Sequence, residues 1–329
     1  MTISEILEKL PKVKEDRGYW LVRTKGGLYY ESFFDGEFIA VGWEKIKLSD
    51  VAKGKTDNKT GFQILREIIS KHYPDESRPG YAANQLLKFA YDIKKNDIVL
   101  IPSENSDIIA FGEVVETPSY SDIYSNDKCA FSKRKKVRWL KTIGRNKLDP
   151  HLYKLMFSHL AISDASGYAE QIDKEISSFF VKGGKAHLVL EVQAEEDIPA
   201  KNLFEFGLYS LDILDEFCKV ESLKIKSDEF NVKLDVQSPG FIEISGMDIS
   251  GIVLLGLIIV SIAGGGASLK MKNVNFGINT DGIIEKIGGF LRVNSNIKAK
   301  KKLLENHTKN LDIKDPEELI KLFKELNKK

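Results

Sequence analysis

The sequence predicts an α+β fold divided into two domains. The chain has 329 residues, which is long for a single hydrophobic core. Short β-runs separated by turn residues fill the segment 19–43, and helical periodicity alternates with strand patterns over the rest of the chain. The sequence Lys-Gly-Gly-Lys at residues 182–185 is typical of a linker. We therefore expect one domain at residues 1–183 and a second at residues 184–329.

The first domain is predicted to be a partly closed β-barrel with helices. Gly26-Gly27 and Asp35-Gly36 divide the segment 19–43 into three β-runs, which is typical of a β-meander. Helical spacing and capping residues predict helices in several later segments. The predicted helices are residues 2–10, 60–73, 81–91, 150–157 and 168–180, and the further predicted strands are residues 99–102, 108–115 and 137–140.

The second domain is predicted to mix strands and helices as well. Its final helix should begin at Pro316, because Asp315 can cap the helix and proline suits its first turn. The other predicted elements are a strand at residues 187–193, a helix at 201–218, one or two strands within 222–236, and strands at 241–245 and 269–278. We recognise no resemblance to a known family in this half of the sequence.

An uncharged segment at residues 249–269 is the most unusual part of the second domain. Its 21 residues contain no charge, but only the 12 residues from 252 to 263 are densely apolar. A membrane-spanning helix needs roughly 20 apolar residues, and 10–14 more often form a buried helix. We therefore favour a buried helix or a self-association core. A membrane-inserting segment is the alternative, since its glycines would suit close helix packing.

Aromatic side chains are concentrated on the predicted strands of segment 19–43. Stacking on such rings is worth roughly 1–3 kcal/mol per nucleic acid base, so one hypothesis is a base-binding pocket. The pocket residues would be Trp20, Tyr30, Phe34 and Trp43, with Asn84 hydrogen-bonding the edge of the base. The alternative is that these aromatics form core. Tyr29 and Tyr30 are adjacent, so on a strand they would point to opposite faces.

A basic stretch follows the predicted barrel strands. Residues 128–147 contain nine lysines and arginines and no acidic residue, whereas the net charge of the whole chain is only +1. Such a patch could neutralise the phosphates of a nucleic acid. The predicted phosphate-binding residues are Arg23, Lys133, Arg134, Lys135, Lys136 and Arg138. The alternative is a solvated strand edge, because lysines also prevent sheets from pairing at their edges.

Four short motifs resemble one known family. They are W-x-V-R at Trp20, F-x5-A-V-G-W ending at Trp43, G-x3-N-Q beginning at Gly80, and K-V-R-W ending at Trp139. Together they resemble the N-terminal domain attached to many Mrr-type restriction endonucleases, which belongs to the EVE and PUA-like class. The resemblance covers about residues 19–182. It implies recognition of modified or flipped bases, in DNA more than in RNA, and a role in prokaryotic defence against foreign DNA.

The sequence contains no recognisable catalytic motif. A nuclease signature would place a lysine two residues after a glutamate or glutamine, but Glu191-Val192-Gln193 is followed by Ala194 and no lysine completes it. The five histidines lack metal-ligand spacing, and Gly264-Gly265-Gly266 lacks the partners of a phosphate-binding loop. We predict a non-catalytic recognition protein without cofactor or metal. A nuclease with a degenerate or unrecognised active site is the main alternative.

The remaining expectations concern location and partners. The chain has two cysteines, Cys129 and Cys218, and its N-terminal residues are not typical of a signal peptide, so we expect a cytoplasmic protein. Nucleic acid is the expected partner, and the second domain is expected to serve oligomerisation or an effector function. A membrane-associated or protein-binding role without nucleic acid is a further alternative.

Overall fold

The computed structural model describes residues 7–55, 59–116, 119–120, 128–194, 197–235, 240–263 and 282–326. Helices and strands are both abundant, which confirms the predicted α+β class. The chain divides into two compact units. The first unit is Asp16–Ile176, and the second unit combines Met1–Glu15 with Ser177–Lys329.

In the first unit, seven strands of the described chain form one sheet. They are β1 (Tyr19–Val22), β2 (Phe38–Val41), β3 (Ile98–Pro102), β4 (Ile108–Val114), β5 (Ser119–Tyr120), β6 (Lys133–Gly144) and β7 (Ile162–Asp164). Their order is β2-β6-β4-β3-β1-β7, and β5 pairs with β6. The strands β1 and β3 run parallel, and the other pairs are antiparallel. The order leaves β2 and β7 at the two ends of the described sheet, which is therefore open.

Helices cover both faces of this sheet. They are α1 (Tyr30–Asp35), α2 (Leu48–Lys53), α3 (Lys59–His72), α4 (Pro79–Leu87), α5 (Tyr153–Met156) and α6 (Ala169–Ile176), and α4 continues as a π-helical turn, Lys88–Asp92. Side chains alternate between two hydrophobic cores along β1, because successive strand residues point to opposite faces. Trp20 and Val22 belong to one core, whereas Tyr19 and Leu21 belong to the other.

The predicted β-meander of segment 19–43 is wrong. Its middle run is the helix α1, and β1 and β2 are not neighbours in the sheet. The helical spacing of Tyr30 and Phe33 places both side chains on one face, where both are buried. Tyr29 and Tyr30 accordingly enter the same core and do not point to opposite faces.

The strand β6 is longer than predicted. The sequence suggested only residues 137–140, but the strand extends over twelve residues because it has three partners, β2, β4 and β5. Its first part, from Lys133 to Lys136, pairs with β2, and the part from Val137 to Gly144 pairs with β4. Pairing with a neighbouring strand thus stabilises the basic residues in an extended conformation that their own β-propensity does not predict.

The second unit contains a four-stranded antiparallel sheet in the order β10-β11-β9-β8. Its strands are β8 (Phe179–Lys182), β9 (Lys185–Val192), β10 (Asn231–Asp235) and β11 (Gly240–Gly246). The described helices are α7 (Ala200–Val220), α8 (Ile249–Ala263), α9 (Ile283–Val293), α10 (Lys298–Asn310) and α11 (Glu317–Leu326). Helix α8 contacts β9, β11 and each of the four other helices, so it forms the centre of this unit.

The predicted linker at residues 182–185 is a β-hairpin turn. Lys182 and Lys185 pair across β8 and β9, and Gly183 and Gly184 have φ angles of +56° and +73°, which glycine adopts without steric cost. The predicted helix 168–180 also ends early, at Ile176, since residue 179 already begins β8. The boundary between the units therefore follows residue 176, not residue 183.

The uncharged segment forms the buried helix α8 over its described part, residues 249–263. Its side chains from Ile252 to Val260 are buried, and several of them are fully covered. The favoured interpretation of a buried helix is confirmed for these residues. Residues 264–269, and the strand predicted at 269–278, lie outside the described chain. Among the residues that the structure describes, no helix has both the length and the apolar character needed to cross a bilayer.

Candidate functional site

A strained turn follows strand β2 in the first unit. Trp43 has a φ of +58°, a left-handed conformation that costs a bulky residue on the order of 1–3 kcal/mol. Two neighbours hold the turn. The Lys133 ammonium donates to the Trp43 carbonyl at 3.1 Å, and the Ser132 backbone N–H donates to the Glu44 carboxylate at 3.0 Å. A fixed, strained aromatic residue of this kind is a reason to look for function.

The side chain of Trp43 takes part in an aromatic corner. Its half-buried ring meets the half-buried ring of Tyr81 edge to face, with centroids 6.1 Å apart. The Trp43 indole N–H donates to Glu76 at 3.2 Å, and the exposed Arg78 guanidinium lies over the Tyr81 ring at 5.3 Å. Asn84 is exposed one helical turn after Tyr81 on α4. We call these five residues the Trp43 corner.

The other predicted pocket residues lie elsewhere. Trp20 is a core residue, because its indole N–H donates at 2.9 Å to the buried carboxylate of Asp97. Tyr30 is buried as well, and burial raises the pKa of its hydroxyl, with a further contribution from Glu31. The half-buried Phe34 stacks on Trp139 at 5.6 Å. The structure therefore does not assemble the predicted pocket as one group. Tyr30 and Phe34 stack on each other at 5.9 Å, whereas Trp43 contacts Tyr81, and Asn84 lies one helical turn after Tyr81.

The basic residues of β6 alternate between interior and surface. Lys133 is 0% exposed and Lys135 is 2% exposed, whereas Arg134 is half-buried and Lys136 and Arg138 are exposed. This alternation follows from the two-residue period of a strand. Lys133 and Lys135 are therefore not part of a basic surface. The predicted patch is reduced on this strand to its outward-facing residues.

The two buried lysines bind backbone oxygens. Lys135 donates to the carbonyl of Ile93 and lies 5.6 Å from the centre of the Phe89 ring. Burial lowers the pKa of Lys135 to about 8, although the nearby carboxylates of Asp97 and Asp92 act in the opposite direction. Burial also lowers the pKa of Lys133, and Glu44 opposes that shift.

Two of the outward-facing cations already have protein partners. The Arg134 guanidinium lies 4.0 Å from the centre of the Phe38 ring and donates to the Phe131 carbonyl at 2.8 Å. Arg138 forms an ion pair with Glu113 while its side chain stays 67% exposed. An exposed pair of this kind is weak, so the arginine can exchange its partner at little cost.

Arg23 lies beyond the end of β1 and holds a loop. Its guanidinium donates to the carbonyls of Met156 and Ser158, the latter from Nε at 2.9 Å. Burial lowers the pKa of Arg23. Within the described chain, no carboxylate forms an ion pair with it. The backbone N–H of Ala161 donates to the Tyr81 hydroxyl at 2.8 Å, so the same loop reaches the Trp43 corner.

Sequence reasoning missed Tyr81, Arg78 and this loop. Tyr81 was placed on a helix, but nothing in its spacing indicates that the helix begins beside the turn after β2. The sequence offered one signal for this site, namely the two motifs that end in tryptophan. One of them, F-x5-A-V-G-W, ends at Trp43. Contacts between residues distant in sequence then complete the site.

Among the described residues, no group of three or more histidine, cysteine, aspartate or glutamate side chains is placed to hold a metal ion. Glu191, the residue nearest to a nuclease signature, accepts from Gln193 at 3.0 Å and lies 3.6 Å from the Lys314 ammonium. These contacts place Glu191, a residue of β9, in a polar network with Gln193 and Lys314.

Comparison with known proteins gives one family match. Residues 20–162 match a family that is described as a domain of unknown function, DUF8426. The match spans less than half of the chain, and it contains the Trp43 corner and the loop that Arg23 holds. No curated protein and no solved structure is similar enough to the chain to count as a match. The resemblance to the EVE and PUA-like class stays a prediction.

Proposed function

We propose that the first unit recognises DNA by stacking a single base at the Trp43 corner. The observation that carries this proposal is the half-buried Trp43 ring, set in a left-handed turn whose carbonyl accepts a hydrogen bond from the buried Lys133. A ring that is already held in position loses little conformational entropy on binding. Stacking of one base on such a ring contributes roughly 1–3 kcal/mol.

The chemistry of the corner suits a base better than a phosphate. Glu76 lies beside the indole and Glu44 follows Trp43 in the chain, so the local carboxylates would repel a phosphate. The exposed Asn84 amide offers both a donor and an acceptor, which matches the mixed edge of a base. Arg78, which lies over the Tyr81 ring, adds a further donor.

Phosphates of the same strand would be neutralised away from the corner. The exposed Lys136 and Arg138 on β6, and Arg23 at the end of β1, are the cations of the predicted set that this role leaves available. Such contacts add affinity without sequence information and make binding depend on salt. The base contact would then supply the selectivity.

The family resemblance narrows the ligand and the setting. It favours a modified base of foreign DNA and a role in prokaryotic defence. The second unit would then act as an oligomerisation or effector module, which fits a body with its own apolar core. The proposed role of the first unit is recognition, and it contains no chemical step.

The test compares tryptophans of the same unit. Fluorescence anisotropy should be measured on the full chain with labelled oligonucleotides that carry cytosine, 5-methylcytosine or 5-hydroxymethylcytosine. Trp43→Ala should weaken binding to the preferred oligonucleotide about 5- to 150-fold, which corresponds to the loss of one stacked base. Trp139→Ala is the matched control, because Trp139 is also half-buried but stacks on Phe34.

Two results would contradict the proposal. One is equal affinity of the Trp43→Ala variant and the wild-type chain, with folding of both verified by circular dichroism. The other is a wild-type chain that binds none of the oligonucleotides at low salt, where phosphate contacts are strongest.

A further inference from the structure

Helix α7 of the second unit presents a continuous exposed stripe. Its members are Lys201, Phe204, Leu208, Asp215 and Lys219, all of them exposed. Steps of three, four, seven and four residues separate them, which places them on one face of a helix. The helix has 21 residues and is therefore roughly 30 Å long. We call these five residues the α7 stripe.

Two ion pairs join α7 to the neighbouring helix α10 along the edge of this stripe. The His307 imidazole Nε2 lies 2.9 Å from the Glu205 carboxylate, and the Lys300 ammonium lies 2.7 Å from the Asp212 carboxylate. Leu208 follows Glu205 by three residues and precedes Asp212 by four, so it lies between the two pairs on the same side of α7.

Leu303 occupies the matching place on α10. It follows Lys300 by three residues and precedes His307 by four, so it also lies between the two ion pairs. The exposed fractions are 67% for Phe204, 55% for Leu208 and 39% for Leu303. The two helices thus form one apolar surface whose backbone position the ion pairs hold. Contiguous exposed apolar groups are typical of a surface that contacts a partner.

The charges of the α7 stripe are arranged symmetrically about Leu208. Lys201 lies seven residues before Leu208, and Asp215 lies seven residues after it. When two copies of α7 pack antiparallel with their Leu208 side chains together, Lys201 of each copy lies opposite Asp215 of the other. A parallel arrangement would instead oppose like charges. The surface is therefore complementary to itself, as a twofold-symmetric interface requires.

Both charged groups are available for this pairing. The Lys201 side chain is 78% exposed, and its contact with Glu205 one turn along the helix, at 3.7 Å, is a weak surface pair. The exposed Asp215 accepts from the Ser227 hydroxyl at 2.7 Å, which fixes the position of its carboxylate without neutralising its charge.

A glycine next to the stripe leaves room for a second helix. Tyr209 follows Leu208 and stacks on His307 of α10, so Gly207, which precedes Leu208, lies on the side of α7 away from α10. A side-chain carbon at Gly207 would meet no atom within 4 Å outside its own helical backbone and chain neighbours. Glycine destabilises the middle of a helix relative to alanine, but it permits close approach of another backbone.

We propose that this surface binds a second copy of the chain, as a dimer in which two α7 helices pack antiparallel about Leu208. Phe204, Leu208 and Leu303 supply the apolar contact, and the two Lys201–Asp215 pairs set the register. The inference does not rest on the base site of the first unit. It gives a surface to the oligomerisation role named above for the second unit.

The first experiment measures the mass of the full chain without DNA. Sedimentation velocity over a concentration series should show a monomer of 37.1 kDa that becomes a dimer as concentration rises. Leu208→Lys should weaken association by about 100-fold or more, because two ammonium groups would meet at the symmetry axis. Unfolding of the dilute, monomeric chain should be unchanged, so that lost association is not lost folding.

Val220→Lys is the matched control for Leu208→Lys. Val220 is 57% exposed on the same helix, but it lies twelve residues from Leu208 and hence about 120° around the helix axis. This variant should associate as the wild type does. Loss of association in both variants would show that charge on α7 disfavours the dimer without identifying the surface, and the proposed interface would be wrong.

The second experiment tests the antiparallel register by charge exchange. Lys201→Glu and Asp215→Lys each place like charges opposite one another, so each variant alone should self-associate about 5- to 10-fold more weakly. An equimolar mixture of the two variants should restore the dimer, because every pair then joins opposite charges. Asp215→Asn keeps an acceptor for Ser227, and its association should weaken about threefold even if Asp215→Lys does not fold.

Three results would overturn the dimer. They are a wild-type chain that stays monomeric at about 100 μM, a dimer that Leu208→Lys leaves intact, and a mixture of folded charge variants that does not restore association. None of these measurements involves DNA, so none bears on the base site. The base site fails instead if Trp43→Ala leaves oligonucleotide binding unchanged, whatever the oligomeric state of the chain.

Discussion

Charged side chains lie in the interior of the first unit, whereas the central helix of the second unit is uncharged along its whole length. In the first unit, Lys133, Lys135 and Asp97 are buried, and each forms hydrogen bonds to backbone groups. In the second unit, α8 covers its apolar side chains with strands and helices on all sides. Both arrangements produce a closed interior. The buried charges are tied to particular backbone groups by hydrogen bonds, whereas the apolar side chains of α8 are simply covered.

Apolar burial in the second unit mainly contributes stability, whereas the buried charges of the first unit position the groups they bind. Burial of apolar surface contributes roughly 25 cal/mol per Å² and is indifferent to direction, so α8 supplies free energy and little geometric detail. A buried charge costs desolvation and is tolerated only with well-placed partners. Lys133 meets the Trp43 carbonyl, so the charged interior of the first unit determines where a surface tryptophan stands.

The largest expected effect concerns the apolar core around α8 in the second unit. Leu257→Lys places an ammonium where the native side chain is 0% exposed and belongs to the hydrophobic core of the second unit. An unpaired buried charge should destabilise the second unit by about 4 kcal/mol or more. Far-ultraviolet circular dichroism and limited proteolysis of the full chain should show loss of that unit.

The control for this prediction is Leu208→Lys on α7, an exposed leucine in the same unit, which should change stability by less than about 0.5 kcal/mol. All three tryptophans, Trp20, Trp43 and Trp139, lie in the first unit, so their fluorescence reports that unit alone. A native second unit in Leu257→Lys would contradict the assignment of α8 as its core.

The next largest effect concerns a buried charge of the first unit, Lys133. Lys133→Met removes the ammonium that binds the Trp43 carbonyl and Glu44. Ile46 still donates to the same carbonyl at 2.9 Å, and Glu44 is part-exposed, so the loss should be moderate, about 1–2 kcal/mol. Urea unfolding followed by tryptophan fluorescence measures it.

Lys133→Met should also weaken oligonucleotide binding, because the turn that presents Trp43 loses a support. Lys136→Met, on the outer face of the same strand, is the matched control for stability. Equal stability of the two variants would show that the buried ammonium does not hold the turn.

The fold was predictable where local pattern and burial agree. Helix α8 could be read from its uncharged apolar run, and α7 from its helical periodicity, because neither depends on a distant partner. The segment 28–34 was misread, since aromatic residues suit strands and helices alike and only its contacts decide. The turn at Gly183-Gly184 resembled a linker, because glycine pairs serve both purposes.

The site was predictable only in part. Trp43 and Asn84 belong to motifs that a sequence displays, but Trp20 bonds to Asp97 through a contact between residues 77 positions apart. Lys133 and Lys135 looked like surface cations, because a run of lysines does not reveal which face of a strand is buried.

A smaller effect concerns pH. The pKa of Lys135 is about 8 in the folded protein and 10.5 ordinarily, so between these values the unfolded chain binds more protons. The free energy of unfolding should therefore rise with pH in this window, by about 1 kcal/mol between pH 7 and pH 9. The measurement is urea unfolding of wild type and Lys135→Met at several pH values, taken as a difference so that other groups cancel. Parallel curves would show that Lys135 does not titrate in this range.

The smallest effect on stability concerns the outer face of β6, where the comparison between buried and exposed charge is made within one strand. Lys136→Gln with Arg138→Gln changes two exposed side chains, so the free energy of unfolding should change by less than about 0.5 kcal/mol. If these cations contact phosphates, the double variant should nevertheless weaken binding for all oligonucleotides alike. The slope of log affinity against log salt should then become shallower by about 1–2, one unit for each lost contact. An unchanged slope would place the DNA backbone away from β6 and leave Arg23 as the remaining cation of the predicted set.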